Sequence, residues 1–151
     1  GTAPANTVIR FTVNFFCNCI YGNVEGGTAR SYFGATDIAT RTTTDEQNNT
    51  VVEYTDLQGR LIRRDVQTGG QTLTTAYVYD YYERLAGVIP PKLYDWFVAG
   101  PSDRVLTFYL NGDPATPNPQ FKDNAYAYQY DARGRLIRKH VASAGWTEYV
   151  Y

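Results

Sequence analysis

The sequence predicts a mainly β protein made of consecutive antiparallel hairpins, with at most one short helix near residues 92–98. Three observations carry this. Fourteen Tyr, seven Phe and two Trp stand among many Thr and Val, the vocabulary of strands. Short β-favouring runs alternate with Asp- and Gly-bearing turns. One turn motif recurs along the chain.

The recurrence sets the architecture. Asp56-x-x-Gly59-Arg60-Leu61-Ile62-Arg63 returns as Asp131-x-x-Gly134-Arg135-Leu136-Ile137-Arg138, identical at six of eight positions. A third copy, Tyr79-Asp80-Tyr81-Tyr82-Glu83-Arg84-Leu85, places Glu83 in the glycine slot, which implies a different turn there. Tyr54, Tyr79 and Tyr130 lead into the three aspartates, and Glu148 to Tyr151 reads as the start of a fourth copy whose next residue would be Asp. Strands are expected before each Asp (51–54, 74–79, 125–130) and after each Arg (61–66, 85–89, 136–141). Asp hydrogen-bonds backbone two residues on, and Gly three residues later takes the positive φ that closes a short bulged loop. Within 125–130, Tyr126, Tyr128 and Tyr130 share one face and Ala125, Ala127 and Gln129 the other, a tyrosine ladder expected to pack between hairpins. Over 61–66 neither face is cleanly apolar.

This motif resembles the YD or Rhs repeat of large bacterial surface and toxin proteins, over roughly residues 50–90 and 123–151. Tyr77-Val78-Tyr79-Asp80, Val88-Ile89-Pro90-Pro91-Lys92-Leu93 and Gly145-Trp146-Thr147-Glu148-Tyr149-Val150-Tyr151 are similar to Rhs-like proteins of Bacteroidetes in particular. The resemblance implies a twisted, spiralling sheet of hairpins that forms a hollow shell, often around a toxic domain, or a surface adhesive structure. Residues 1–48 hold no clear copy, and 90–122 interrupt the period. The family's self-cleaving Asp-Pro-x-Gly-Leu segment is not matched, because Asp113-Pro114-Ala115 is only an echo of it.

Two regions are therefore expected: a strand-rich segment and polar linker at 1–48, and hairpin repeats with an insertion at 49–151. Thr7 to Phe16 reads as a strand and Cys17 to Val24 as a second, while 35–49 reads as a linker or exposed loop. Asn48-Asn49-Thr50 matches a glycosylation-type sequon but is read as a turn entering the first repeat strand. Pro90 and Pro91 open a short helix that carries Leu93, Trp96 and Phe97 to the sheet. Val105 to Leu110 reads as a strand, and 111–119 as a proline-stiffened loop whose Asn111 and Asp113 make a weak calcium signature. Cys17 and Cys19 are read as buried thiols, with a bridge to another segment or chain as the alternative; Cys-x-Cys with one histidine is a poor metal signature.

Function is constrained mainly by exclusion. Fourteen basic against fifteen acidic residues leave a charge of −1, so no nucleic-acid partner is expected. No apolar run is long enough for a membrane helix, and the chain, beginning at Gly1 without a leader, reads as a mature or excised piece. Ser31, Ser102 and Ser143 have only His140 to serve them, Asp95 and Asp103 form no evident carboxylate pair, and Gly26-Gly27 and Gly69-Gly70 read as turns. A non-enzymatic module without cofactors is the expectation: a shell or scaffold of a secreted or cell-surface protein. The alternative is an adhesin or filament subunit, with Tyr81, Tyr82, Trp96 or Trp146 binding glycans, or sheet edges joining identical subunits or the rest of a parent protein.

Overall fold

In the computed structural model, which describes residues 7–14, 19–22, 30–100 and 119–151, each run of β-favouring residues pairs with the next along the chain. Strands β3 (Ala39–Thr44), β4 (Thr50–Thr55), β5 (Leu61–Thr68), β6 (Gln71–Tyr79), β7 (Leu85–Ile89), β8 (Tyr126–Tyr130), β9 (Leu136–Val141) and β10 (Gly145–Glu148) form one open antiparallel sheet in sequential order. The expected repeat strands are all present, and the insertion between β7 and β8 leaves them direct neighbours through Gly87↔Ala127 and Val88↔Tyr126. A small second sheet pairs β1 (Thr12–Asn14) with β2 (Cys19–Tyr21).

The fold departs from expectation in several places. Residues 39–44, read as linker, are β3: Thr42, Thr43 and Thr44 are exposed and polar, but β-branched Thr pairs well in an edge strand. Among the described residues of the Thr7 to Phe16 run, regular strand is confined to β1; upstream, Arg10 N–H bonds Ser31 O at 2.8 Å and Phe33 N–H bonds Val8 O at 2.9 Å. The expected helix is α1 (Pro91–Ala99), with Pro at its first turn, where no N–H is needed. A second helix, α2 (Pro119–Asn124), has no announcing pattern and is tied by Asn124 Nδ2–H to Gln120 O at 2.9 Å. Phe15, Phe16, Cys17, Gly26, Gly27, Ser102, Asp103, the 105–110 strand and the 111–118 loop with its Asn111 and Asp113 lie outside the described residues, as does the Cys19 side chain.

One face of the sheet carries the core. Register aligns Val78, Gly87, Ala127, His140 and Trp146 in a row across five strands. Ile9, Phe11 and Ile20 from the N-terminal segment, with Leu93, Tyr94 and Phe97 of α1, cover that face. The small residues are what let them approach. A Cβ on Gly87 would stand 2.8 Å from Ile20 Cδ1 and 3.2 Å from the Tyr126 carbonyl. The core side of β8 is thus its alanine side; Tyr126 and Tyr128 lie half-buried on the opposite face, where the expected tyrosine packing is only partial. Arg30 fastens the cover by donating to Phe97 O and Val98 O at 3.1 Å, at the carbonyl end of α1.

The mixed pattern of β5 has its cause here. Arg63 binds Asp65 through two hydrogen bonds, Nε to Oδ1 at 2.8 Å and Nη2 to Oδ2 at 2.9 Å, while its Nη1 donates to Thr7 O at 3.0 Å and Tyr94 Oη at 3.3 Å. Thr74 Oγ1 completes the carboxylate at 2.9 Å. Every charge in this buried network has a partner, which is the condition for tolerating it under the cover. Burial pushes the Tyr94 phenol up from its ordinary value.

Turn conformation makes a direct prediction. Gly59 and Gly134 sit at φ 79 and 77, with nothing within 4 Å of an added Cβ, so a side chain there meets only backbone strain. Glu83 holds the same left-handed conformation at φ 65, which costs an L-residue roughly 1–2 kcal/mol. Gly134→Val is expected to destabilise by about 1 kcal/mol or more, and Glu83→Gly to stabilise by up to about 1 kcal/mol. Thermal unfolding of both variants checks this; unchanged melting of Gly134→Val would disprove the strain argument.

Candidate functional site

The repeat motif is the site, and its geometry follows from one carboxylate. In the turn between β4 and β5, Asp56 Oδ1 accepts from the Gln58 and Arg60 backbone N–H groups at 3.0 and 2.9 Å, and Oδ2 accepts from Arg60 Nε at 2.7 Å. The backbone closes by Asp56 N–H to Arg60 O and Gly59 N–H to Asp56 O, each 3.0 Å. Asp80 makes the same bonds to Tyr82, Arg84 and the Arg84 side chain at 2.9, 2.9 and 2.8 Å. Asp131 makes them to Arg133, Arg135 and the Arg135 side chain at 2.9, 2.9 and 2.8 Å. Glu83 therefore does not produce a different turn. Its N–H bonds Asp80 O at 3.0 Å as Gly59 and Gly134 bond theirs.

Each arginine then reaches the next hairpin. Arg60 lies 4.7 Å from the Tyr79 ring centroid, Arg84 4.6 Å from that of Tyr130, and Arg135 4.5 Å from that of Tyr151. Those tyrosines return a hydrogen bond to the carbonyl after the arginine: Tyr79 Oη to Leu61 O and Tyr130 Oη to Leu85 O at 2.7 Å, and Tyr151 Oη to Leu136 O at 2.8 Å. Neighbouring Tyr and Asp thus serve different hairpins. Tyr closes the preceding one and Asp opens its own. Tyr151 stands where a fourth copy would place it.

Two site assignments change. Tyr54 is not equivalent to Tyr79 and Tyr130, because Thr55 occupies the position before Asp56 and donates to Ala39 O at 3.5 Å. Tyr54 instead stacks on Arg63 at 5.2 Å and packs with Val8, Ile38 and Ile62. Conversely, Asp45 builds the same turn between β3 and β4 with no glycine or arginine. Its Oδ1 accepts from Gln47 and Asn49 N–H at 2.9 Å, its Oδ2 from Asn49 Nδ2 at 3.1 Å, and Asn48 takes φ 67. The signal was present in Asp45-x-x-Asn48-Asn49, since Asn tolerates the left-handed region and its amide substitutes for the guanidinium.

The other candidates separate. His140 is buried on β9 with Nδ1 3.1 Å from Ala125 O and its ring edge-on to Trp146. Ser143 Oγ donates to Asp123 O at 2.9 Å, Ser31 is half-buried, and Asp95 is exposed on α1. Trp96 and Trp146 pack against the core, whereas Tyr81 and Tyr82 are exposed. Among the described residues no three His, Cys, Asp or Glu side chains gather as metal ligands, and no helix is long and apolar enough to cross a membrane. No protein-family model and no curated protein matches the sequence.

The lock makes two predictions. Tyr79→Phe and Tyr130→Phe keep the ring on its arginine but remove the bond to the leucine carbonyl, so each should cost a similar 0.5–1.5 kcal/mol, roughly one hydrogen bond, in urea unfolding. A free pass for either one would show that the lock is not common to both hairpins. The second concerns acid. The Arg135 backbone N–H, followed by its side chain and the Arg133 N–H, holds the Asp131 carboxyl below its ordinary value, and Asn49 does the same for Asp45. A carboxyl depressed in the folded state contributes stability above its unfolded pKa of about 3.9 and loses it as the pH falls further. The melting temperature should drop below about pH 4, and less steeply in Asp131→Asn. Equal acid slopes would contradict the assignment.

Proposed function

We propose that this chain is a non-enzymatic structural module of the YD (Rhs) repeat type, from a secreted or surface-attached protein, whose work is to form a shell or scaffold wall. The observation that carries the reading is the lock repeated at three successive Asp-initiated turns with centroid distances of 4.7, 4.6 and 4.5 Å. A recurring contact between neighbours is how a quasi-one-dimensional array is stabilised, each unit burying what the next exposes. The same rule extends the wall into the spiralling sheet that the resemblance implies.

A filament or adhesin subunit is the second reading. Among the described residues no strand pairs with the outer edges of β3 or β10, and in a sheet of eight alternating strands these edges run in opposite directions. Head-to-tail addition of identical chains would therefore continue the antiparallel order.

One experiment addresses both. A further hairpin with Asp-x-x-Gly-Arg-Leu at its turn is fused after Tyr151, and melting is followed with light scattering over a wide concentration range. The repeat reading expects a higher melting temperature from the added neighbour contact; an appended hairpin that stays protease-sensitive without raising it would overturn that reading. Mass growing with concentration in the unextended chain supports the filament, and a constant monomer mass removes it.

A further inference from the structure

Beside the first Asp-Arg turn lies an open depression of about 310 Å3, within the size range of small-molecule sites. The N-terminal segment and the chain before β3 supply Arg10, Phe33 and Asp37, and the turn supplies Asp56, Leu57 and Arg60. Its four charges are two of each sign, and one pair of them is joined. Asp56 holds Arg60 at 2.7 Å, and Arg60 rests on Tyr79, so that pair belongs to the lock between hairpins. Arg10 and Asp37 are left over. Among the described residues, the Arg10 guanidinium rests on the Phe33 ring at 4.4 Å, and neither it nor the Asp37 carboxylate forms a hydrogen bond or an ion pair.

Both groups are nevertheless held in place. Ile9 pairs with Tyr32, Arg10 N–H bonds Ser31 O at 2.8 Å, and Phe33, which carries the guanidinium, packs with Val8, Ile38 and Ile62. Asp37 N–H bonds Gly34 O at 3.0 Å, and its carboxylate folds back over Gly34, where a Cβ would stand 2.8 Å from Oδ2. Gly34 has φ −65, which any residue adopts, so the room it leaves for the carboxylate is what calls for glycine. Leu57 adds an apolar wall, 73% exposed, at a turn position that folding leaves unconstrained. Opposite charges that share a depression without joining suit a ligand that carries both. The balance gives neither an anion nor a cation a net attraction, whereas a dipolar ion is drawn by each of its ends.

We propose that this depression binds a free α-amino acid with an apolar side chain. The ligand carboxylate lies on Arg10, its ammonium on Asp37, and its side chain against Leu57 and Phe33. The site goes beyond the scaffold reading and stands or falls separately from it.

The test uses the full chain with L-leucine and L-phenylalanine, and with two analogues of each that lack one charge. The amide has no carboxylate, and the deaminated acid has no ammonium; glycine lacks the side chain. Binding is read by calorimetry and by Leu57 methyl and Phe33 ring signals in NMR. At least one of the two amino acids should bind, about tenfold more tightly than its amide or its deaminated acid, the worth of one charge-assisted hydrogen bond. Arg10→Gln should abolish the preference over the amide, and Asp37→Asn the preference over the deaminated acid, because each removes the group that reads the missing charge. These are ratios within one variant, so a general loss of stability does not produce them. Leu57→Ala should narrow the gap to glycine with an unchanged melting temperature. Silence from both amino acids at millimolar concentration, equal binding of the amino acid and its amide to the unaltered chain, or preferences that survive in Arg10→Gln and Asp37→Asn would overturn the proposal.

Discussion

A turn-opening aspartate in this fold accepts three hydrogen bonds at once through its carboxylate, and the sheet depends on all of them. One oxygen takes two backbone N–H groups that a tight loop leaves without partners, and the other takes the arginine Nε. The arginine, held rigid, becomes a flat surface on which a tyrosine of the following hairpin rests. Local turn chemistry is thereby converted into contact between repeats. An isolated two-stranded hairpin is marginal in water, so this coupling is what lets short strands persist.

The second constraint is steric. A sheet of aromatic hairpins still needs one side on which another layer can lie close, and Gly87 with Ala76, Ala86, Ala125 and Ala127 provides it. The bulk is supplied by the cover: Phe11 and Phe97 meet at 5.5 Å, and Ile20 sits on Gly87. The Arg63 and Asp65 network ties the cover at Thr7 and Tyr94 to the middle of the sheet. Large residues on both layers would have separated them; small against large brings them to contact distance.

The hairpins were legible because the turn imposes Asp, Gly and Arg at fixed offsets, and such demands survive as letters. What escaped were places where other letters meet the same demand. Asn48 and Asn49 replace Gly and Arg without changing the backbone, so β3 and its turn read as linker. Glu83 accepts the glycine conformation under strain. Tyr54 was misplaced by the one-residue offset of Thr55, which spacing alone does not weigh. The alternation in β8 was legible while the choice of core face was not, because which face becomes core depends on the N-terminal segment and α1, distant in sequence.

The turn separates folding from display. Asp and Arg carry the side-chain bonds, and of the three residues between them the third takes a left-handed φ that favours glycine, so it is the first two whose side chains are free to vary. The consequence is visible across the sheet. On the side of the Asp-Arg turns exposed Leu57, Tyr81 and Tyr82 stand beside exposed Gln58, Glu83 and Arg133, and on the opposite side stand Glu46, Gln47, Asn48, Gly69, Gly70 and Ser143. Loop residues meet water equally at both ends, so solvation alone does not call for the large apolar side chains among the Asp-Arg turns. Apolar and charged side chains mixed at the same two turn positions are what a scaffold permits when it fixes the backbone and leaves those positions unconstrained.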